Sequence, residues 1–151
     1  MNESINKFLH TRITEIGPQS LVVVGIKSGE NAIPEIQSHD LEVHYLQSNE
    51  ITNDNNRYDL GVIYLDKNTQ ESWSALSRSR DILTRHLIVI VPSTNDRPVS
   101  DFVALGMTRT NLEEFGDYAI YEYDVATYKS TPDWLSAESW ANPDQWEKER
   151  W

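Results

Sequence analysis

Cysteine is absent from this chain of 151 residues. That excludes disulfide bridges, a thiolate nucleophile and zinc–thiolate sites. It fits a reducing compartment, and a cytoplasmic location is expected. Long apolar runs are lacking too. Leu21–Val24 and Leu87–Val91 are the longest aliphatic stretches, far short of the roughly 20 residues that span a bilayer. Met1–Ile13 holds no continuous apolar core, so no signal peptide and no membrane association are expected. Basic residues are scarce: 13 Lys and Arg stand against 24 Asp and Glu, a net charge of −11. The bias is uneven, with −7 in residues 111–151 and −4 in residues 1–110. Phosphate backbones would be repelled, so nucleic acid is not an expected partner. The acidic excess otherwise serves solubility.

What is present alternates between helix and strand. Ile5, Phe8, Leu9, Ile13 and Ile16 follow helical spacing, and Gly17-Pro18 stops the helix. Leu21–Val24 reads as a parallel strand covered on both faces. Pro34–Ser38 has room for a short helix. Leu41–Leu46 reads as a second strand, and the polar stretch Ser48–Arg57 as a loop. Leu60–Leu65 is a third strand. Asn68 with Glu71 predicts a capped helix through Arg85, with Trp73, Leu76, Ile82 and Leu83 as its apolar stripe. Leu87–Val91 is a fourth strand, ended by Pro92. Ser100 caps a short helix containing Phe102, Val103 and Leu105. Met107–Glu113 and Tyr118–Val125 form an antiparallel hairpin around Phe115-Gly116-Asp117. The fold class is α/β: a Rossmann-like open sheet, mostly parallel, with a C-terminal antiparallel hairpin and helices on both faces. The expected division is an α/β domain over residues 1–125 and a Trp-rich helical extension over 126–151. The loop Ser48–Arg57 is short for joining parallel strands, which leaves the placement of the second strand or its neighbour open.

Chemistry-bearing motifs are few. His10, His39, His44 and His86 show no ligand spacing, and no G-x-S-x-G elbow or phosphate loop occurs. Neither a nucleophile nor a general base stands out, and no metal site is expected. Arg78, Arg80 and Arg85, with Asp81 between them, read as a solvated face of one helix. In an open α/β sheet, ligands sit past the carboxyl ends of the strands. That rim would hold Gly25–Gly29, Gln47, Asp66 with Asn68, and Ser93–Asp96. Asp66 is either a substrate-facing acid or an acid opening a helix.

The order of elements resembles class I S-adenosylmethionine (SAM)-dependent methyltransferases over roughly Ile5 to Val125. The resemblance rests on PQSLVVVG, YDLGVIYLD, HLIVIVPS and the hairpin ALGMTRT…FGDYAIYEYDV. It implies a sheet ending in an antiparallel strand and a SAM site at Gly25, Lys27, Gly29, Gln47, Asp66 and Ser93. Four departures from the family pattern stand in that site. Val23 replaces the acid expected at the end of the first strand, and Lys27 replaces the middle glycine of the turn. Gln47 stands where an acid would hold the ribose. Ser48–Arg57 cannot contain the two helices and strand that help hold the adenine. The resemblance therefore implies a non-catalytic, methyltransferase-like module acting through protein contacts. The alternative is a divergent SAM-dependent methyltransferase on a small-molecule or protein substrate.

The end of the chain, TPDWLSAESWANPDQWEKERW, also resembles that of an uncharacterised bacterial protein family. It repeats at an offset of eleven: Thr131-Pro132-Asp133 precedes Glu138 and Trp140, and Asn142-Pro143-Asp144 precedes Glu149 and Trp151. Each half reads as a cap, a proline in the first turn and a nearby acid. Two short helices are expected, near 132–140 and 143–150. Helices this short are marginal alone, so they dock on something or stay largely unfolded. Tyr118, Ile120, Tyr121, Tyr123 and Tyr128 are the expected seat. Trp134, Trp140, Trp146 and Trp151 are the candidate contact residues for a protein partner or a homodimer.

Overall fold

The computed structural model describes residues 3–25, 40–110 and 115–127. The expected helix Pro34–Ser38, the turn residues Lys27 and Gly29, part of the expected strand Met107–Glu113, and the segment with Tyr128 and Trp134–Trp151 lie outside the described residues.

Helix α1 covers Glu3–Ile16 and buries Ile5, Leu9 and Ile13, one residue per turn along a single face. Gly17 closes it at φ 60, its N–H donating to the Ile13 carbonyl at 2.9 Å. The strands are β1 (Ser20–Val24), β2 (Glu42–Leu46), β3 (Tyr58–Tyr64), β4 (Thr84–Pro92), β5 (Thr108–Thr110) and β6 (Tyr118–Asp124). They form one six-stranded sheet in the order β2-β1-β3-β4-β6-β5. The first four are parallel, and β6 is antiparallel to both β4 and β5. The Rossmann-like α/β fold follows.

Alternation along each strand sorts the core into two layers. Leu21, Val23, Leu60, Val62, Ile88, Ile90 and Ile120 pack under α1. Val22, Val24, Ile63, Leu87, Val89, Val91 and Tyr121 face the other way. There they meet α2 (Gln70–Arg78), a π-helical turn (Ser79–Leu83) and α3 (Val99–Ala104). Because both faces are covered, the central strands are almost continuously apolar.

The short connection 47–57 is compatible with parallel strands because β2 and β3 lie on opposite sides of β1. It needs no helix. Ile51 is fully buried in the same layer as Val22 and Val24 and anchors the loop from within. Arg78 anchors it from outside: Nε donates to the Ile51 carbonyl at 3.1 Å and Nη2 to the Asp54 carbonyl at 2.8 Å. Arg80 belongs to the π turn and Arg85 to β4, so the three arginines do not share a helix.

The second helix differs from its expected form at both ends. Its cap is Thr69, whose Oγ1 accepts from the Ser72 N–H at 3.1 Å; Asn68 instead donates to Asp96 at 2.7 Å. The helix ends at Arg78, where the wider π turn shifts the phase of the following side chains. Ile82 consequently leaves the apolar stripe and is 48% exposed. Thr84 and Arg85 already belong to the strand. Thr69→Ala is expected to lower stability by about 1 kcal/mol in urea unfolding, whereas Asn68→Ala leaves the cap in place. The third helix begins after Pro98 with no side-chain cap, so Ser100 lies inside its first turn. It buries Phe102 and leaves Val103 exposed.

Candidate functional site

The chain moves from β1 to β2 on one side and then to β3 on the other. The topological switch point therefore lies between β1 and β3, at their carboxyl ends. Gly25 sits there at φ 83. A Cβ built on it would lie 2.5 Å from the Tyr64 carbonyl oxygen. The space a glycine leaves at this turn is thus taken by the protein's own β3 backbone. The Gly25 N–H donates to the Leu46 carbonyl at 3.2 Å, which ties the turn to the end of β2.

The other expected rim residues are spread along the sheet edge. Gln47 opens a tight turn: its N–H donates to Glu50 Oε2 at 2.6 Å, and its carbonyl accepts from the N–H groups of Glu50 and Ile51. Asp66 is exposed after β3 and Ser93 is exposed after β4. The Ser93 N–H donates to the Asp117 carbonyl at 2.7 Å, joining the start of β6. Gly25 and Gln47 end neighbouring strands; Asp66 and Ser93 follow the next two.

Between the ends of β3 and β4 the polar groups bond one another. The side-chain amide of buried Asn95 donates to the Leu65 carbonyl at 2.8 Å, and its oxygen accepts from the Arg97 N–H at 3.1 Å. Arg97 donates through Nη1 to Asn68 at 2.9 Å and through Nε to Asp101 at 2.9 Å. Its guanidinium lies 3.9 Å from the centroid of the Trp73 ring, a favourable cation–π geometry. Trp73 meets Phe102 edge-on at 5.5 Å, and Phe102 stacks on Tyr121 at 4.2 Å. This ladder of rings runs from the rim into the core. Arg97 carried no motif in the sequence; only its place in the polar turn STNDRP hinted at it.

On the α1 face of the same rim, Tyr64 and Tyr118 approach with ring centroids 6.4 Å apart. Burial, then a hydrogen bond to Tyr118 and the charges of Tyr118 and Asp66, push the Tyr64 hydroxyl up to about 12. Its folded pKa lies above the ordinary value near 10, so the unfolded chain loses this proton first as pH rises. The stabilisation is complete below pH 10 and is lost as pH climbs towards about 12. Tyr64→Phe is expected to flatten this alkaline decline, read as melting temperature against pH.

The described residues of the surface expected to receive the C-terminal segment have neighbours of their own. Ile120 is fully buried, Tyr121 is stacked on Phe102, and the Arg80 guanidinium lies 4.9 Å from the Tyr123 centroid. Tyr118 is half-buried at the rim. His86 lies within β4, its Nδ1 3.6 Å from Asp124 Oδ2. Among the described residues no group of three or more His, Asp and Glu side chains could hold a metal ion, and no helix is long and apolar enough to cross a membrane.

Fold and rim together define a Rossmann-like α/β protein whose sheet closes with an antiparallel pair. Residues 3–151 match the family of unknown function DUF6231, and the chain belongs to that family. A crystal structure of a protein from Thermoplasma acidophilum is similar at 6% identity, covering 79% of this chain and 87% of that one with a TM-score of 0.48. No curated protein matches the chain.

Proposed function

We infer that the protein is a non-catalytic module with a methyltransferase-like sheet that works through protein contacts, with the indoles of Trp134, Trp140, Trp146 and Trp151 as its contact residues. The observation that carries this reading is the position of Gly25. Its missing side chain makes room for the Tyr64 carbonyl at 2.5 Å from where a Cβ would stand, not for a ligand. The bonded cluster of Asn68, Asn95, Asp96, Arg97 and Asp101 supports it, because those groups spend their hydrogen bonds on each other and on the Leu65 carbonyl. Of the residues expected at a SAM site, the described Gln47, Asp66 and Ser93 lie on three separate loops.

The second reading is a divergent SAM-dependent methyltransferase. The positive φ of Gly25 at the end of β1 favours it, since a cofactor turn needs that backbone shape. Thermal unfolding with SAM and with S-adenosylhomocysteine separates the two. No change in melting temperature at millimolar ligand is expected. Saturable stabilisation, about 2.7 kcal/mol at a hundredfold excess over the dissociation constant, would reject the non-catalytic reading.

A further inference from the structure

A wide opening lies at the other end of the sheet, away from the rim. It is a cleft of about 660 Å³ below the amino ends of β3 and β4. Its walls carry Arg57, Arg80 and Arg85, the aliphatic residues Ile82 and Val125, and Tyr123. Ile82 and Val125 are 48% and 51% exposed, two of the four large aliphatic side chains that stand out to solvent among the described residues. The π turn is what rotates Ile82 into this position.

The charge of the walls is unbalanced. Asp59 is committed to Gln19 and Ser20, accepting from both N–H groups and the Ser20 hydroxyl. Asp81 is paired with Arg80. Arg57 and Arg85 are exposed and form no ion pair among the described residues. An occupant should therefore combine apolar bulk with negative charge.

The chain itself contains such a segment, and it follows a residue of the cleft wall. Val125, on the wall, follows directly after β6. Residues 130–147 contain Asp133, Glu138, Asp144 and Glu147, no Lys or Arg, and the indoles of Trp134, Trp140 and Trp146. Trp134 is nine residues beyond Val125, a reach of up to about 30 Å, ample for any point of the cleft. Of the other expected seat residues, Tyr121 is stacked on Phe102 and Ile120 is fully buried, whereas Tyr123 belongs to the cleft wall.

We propose that this cleft is the intramolecular seat of the Trp-rich segment 130–147, with indoles against Ile82 and Val125 and carboxylates beside Arg57 and Arg85. The assignment is independent of whether the carboxyl rim binds SAM. Occupation of the cleft would put these indoles in competition between the protein's own surface and any partner.

The absence of cysteine makes a direct test available. Ile82→Cys is combined in turn with Trp134→Cys, Trp140→Cys and Trp146→Cys in the full chain, and each is oxidised at low concentration. An intramolecular disulfide in at least one pair, migrating as monomer, is the expected result, since closure needs Cα atoms within about 7 Å. Disulfide-linked dimers in place of monomers would overturn the proposal and assign the cleft to a second copy. No cross-link in any pair would overturn it outright. A second measurement does not depend on cysteine: Arg57→Glu with Arg85→Glu should speed proteolytic removal of the segment by about tenfold, because cleavage follows the population of the open form. An unchanged cleavage rate, in a variant whose circular dichroism matches the parent, would also overturn it.

Discussion

Gly25→Ala is expected to lower the melting temperature by roughly 6–12 °C, a larger loss than the same change at Gly17. Two effects add. At φ 83 an L-residue is strained, and strain of this kind amounts to about 1–3 kcal/mol. The added Cβ would also stand 2.5 Å from the Tyr64 carbonyl oxygen. That oxygen is backbone, held in place by the pairing of β3 with β4, so it cannot swing away as a side chain end would. Either β1 and β3 part at the switch point or the turn after β1 rebuilds. Gly17→Ala provides the control. Its φ is 60, but no atom lies within 4 Å of the added Cβ. It should show the conformational strain alone, about 1 kcal/mol. If the two variants melt together, the close approach at Gly25 is wrong, and with it the main support for a filled cofactor turn.

Phe102→Ala is expected to lower unfolding free energy by about 3–5 kcal/mol. The side chain is fully buried and lies between Trp73, edge-on at 5.5 Å, and Tyr121, stacked at 4.2 Å. The helix that carries it has only six residues and no side-chain cap. Such a helix has little stability of its own, so this one ring holds it against the sheet. Losing the ring also loosens Trp73, which supports Arg97 at 3.9 Å. The effect should therefore reach the rim network, seen as faster amide exchange of residues 95–101. Phe102→Leu keeps most of the volume and should lose roughly 1–1.5 kcal/mol. Urea unfolding of the three proteins gives the series; a Phe102→Ala loss below about 1 kcal/mol would mean α3 is not packed as described.

Strong local patterns were legible in the sequence. The spacing of Ile5, Leu9 and Ile13 defined α1, and the runs at Leu21–Val24 and Leu87–Val91 identified two central strands. The closing hairpin followed from two polar-flanked strands around Phe115-Gly116-Asp117. The less legible features depended on groups far apart in the chain. Asn68 and Thr69 are both good caps by residue type; Asn68 is drawn away by Asp96 and Arg97, residues from the β4 end of the sheet. Ile82 fitted a helical stripe until the π turn shifted its phase. Ile51 looked like an isolated apolar residue in a polar loop, and only the crossing past β1 makes it core.

The candidate site divides the same way. Gly25 was identifiable as a special backbone position, because a glycine after a buried strand signals a turn whatever surrounds it. What the glycine makes room for was undetermined, since a colliding atom on Tyr64 is 39 positions away in the chain. By itself, the sequence determined the alternation of helix and strand, the doubly covered sheet and the acidic, Trp-rich end, because these follow from periodicity and composition within short windows. The tertiary structure alone decided the strand order, the pairing of rim groups and the arginine-walled cleft, because each depends on contacts between segments distant in sequence.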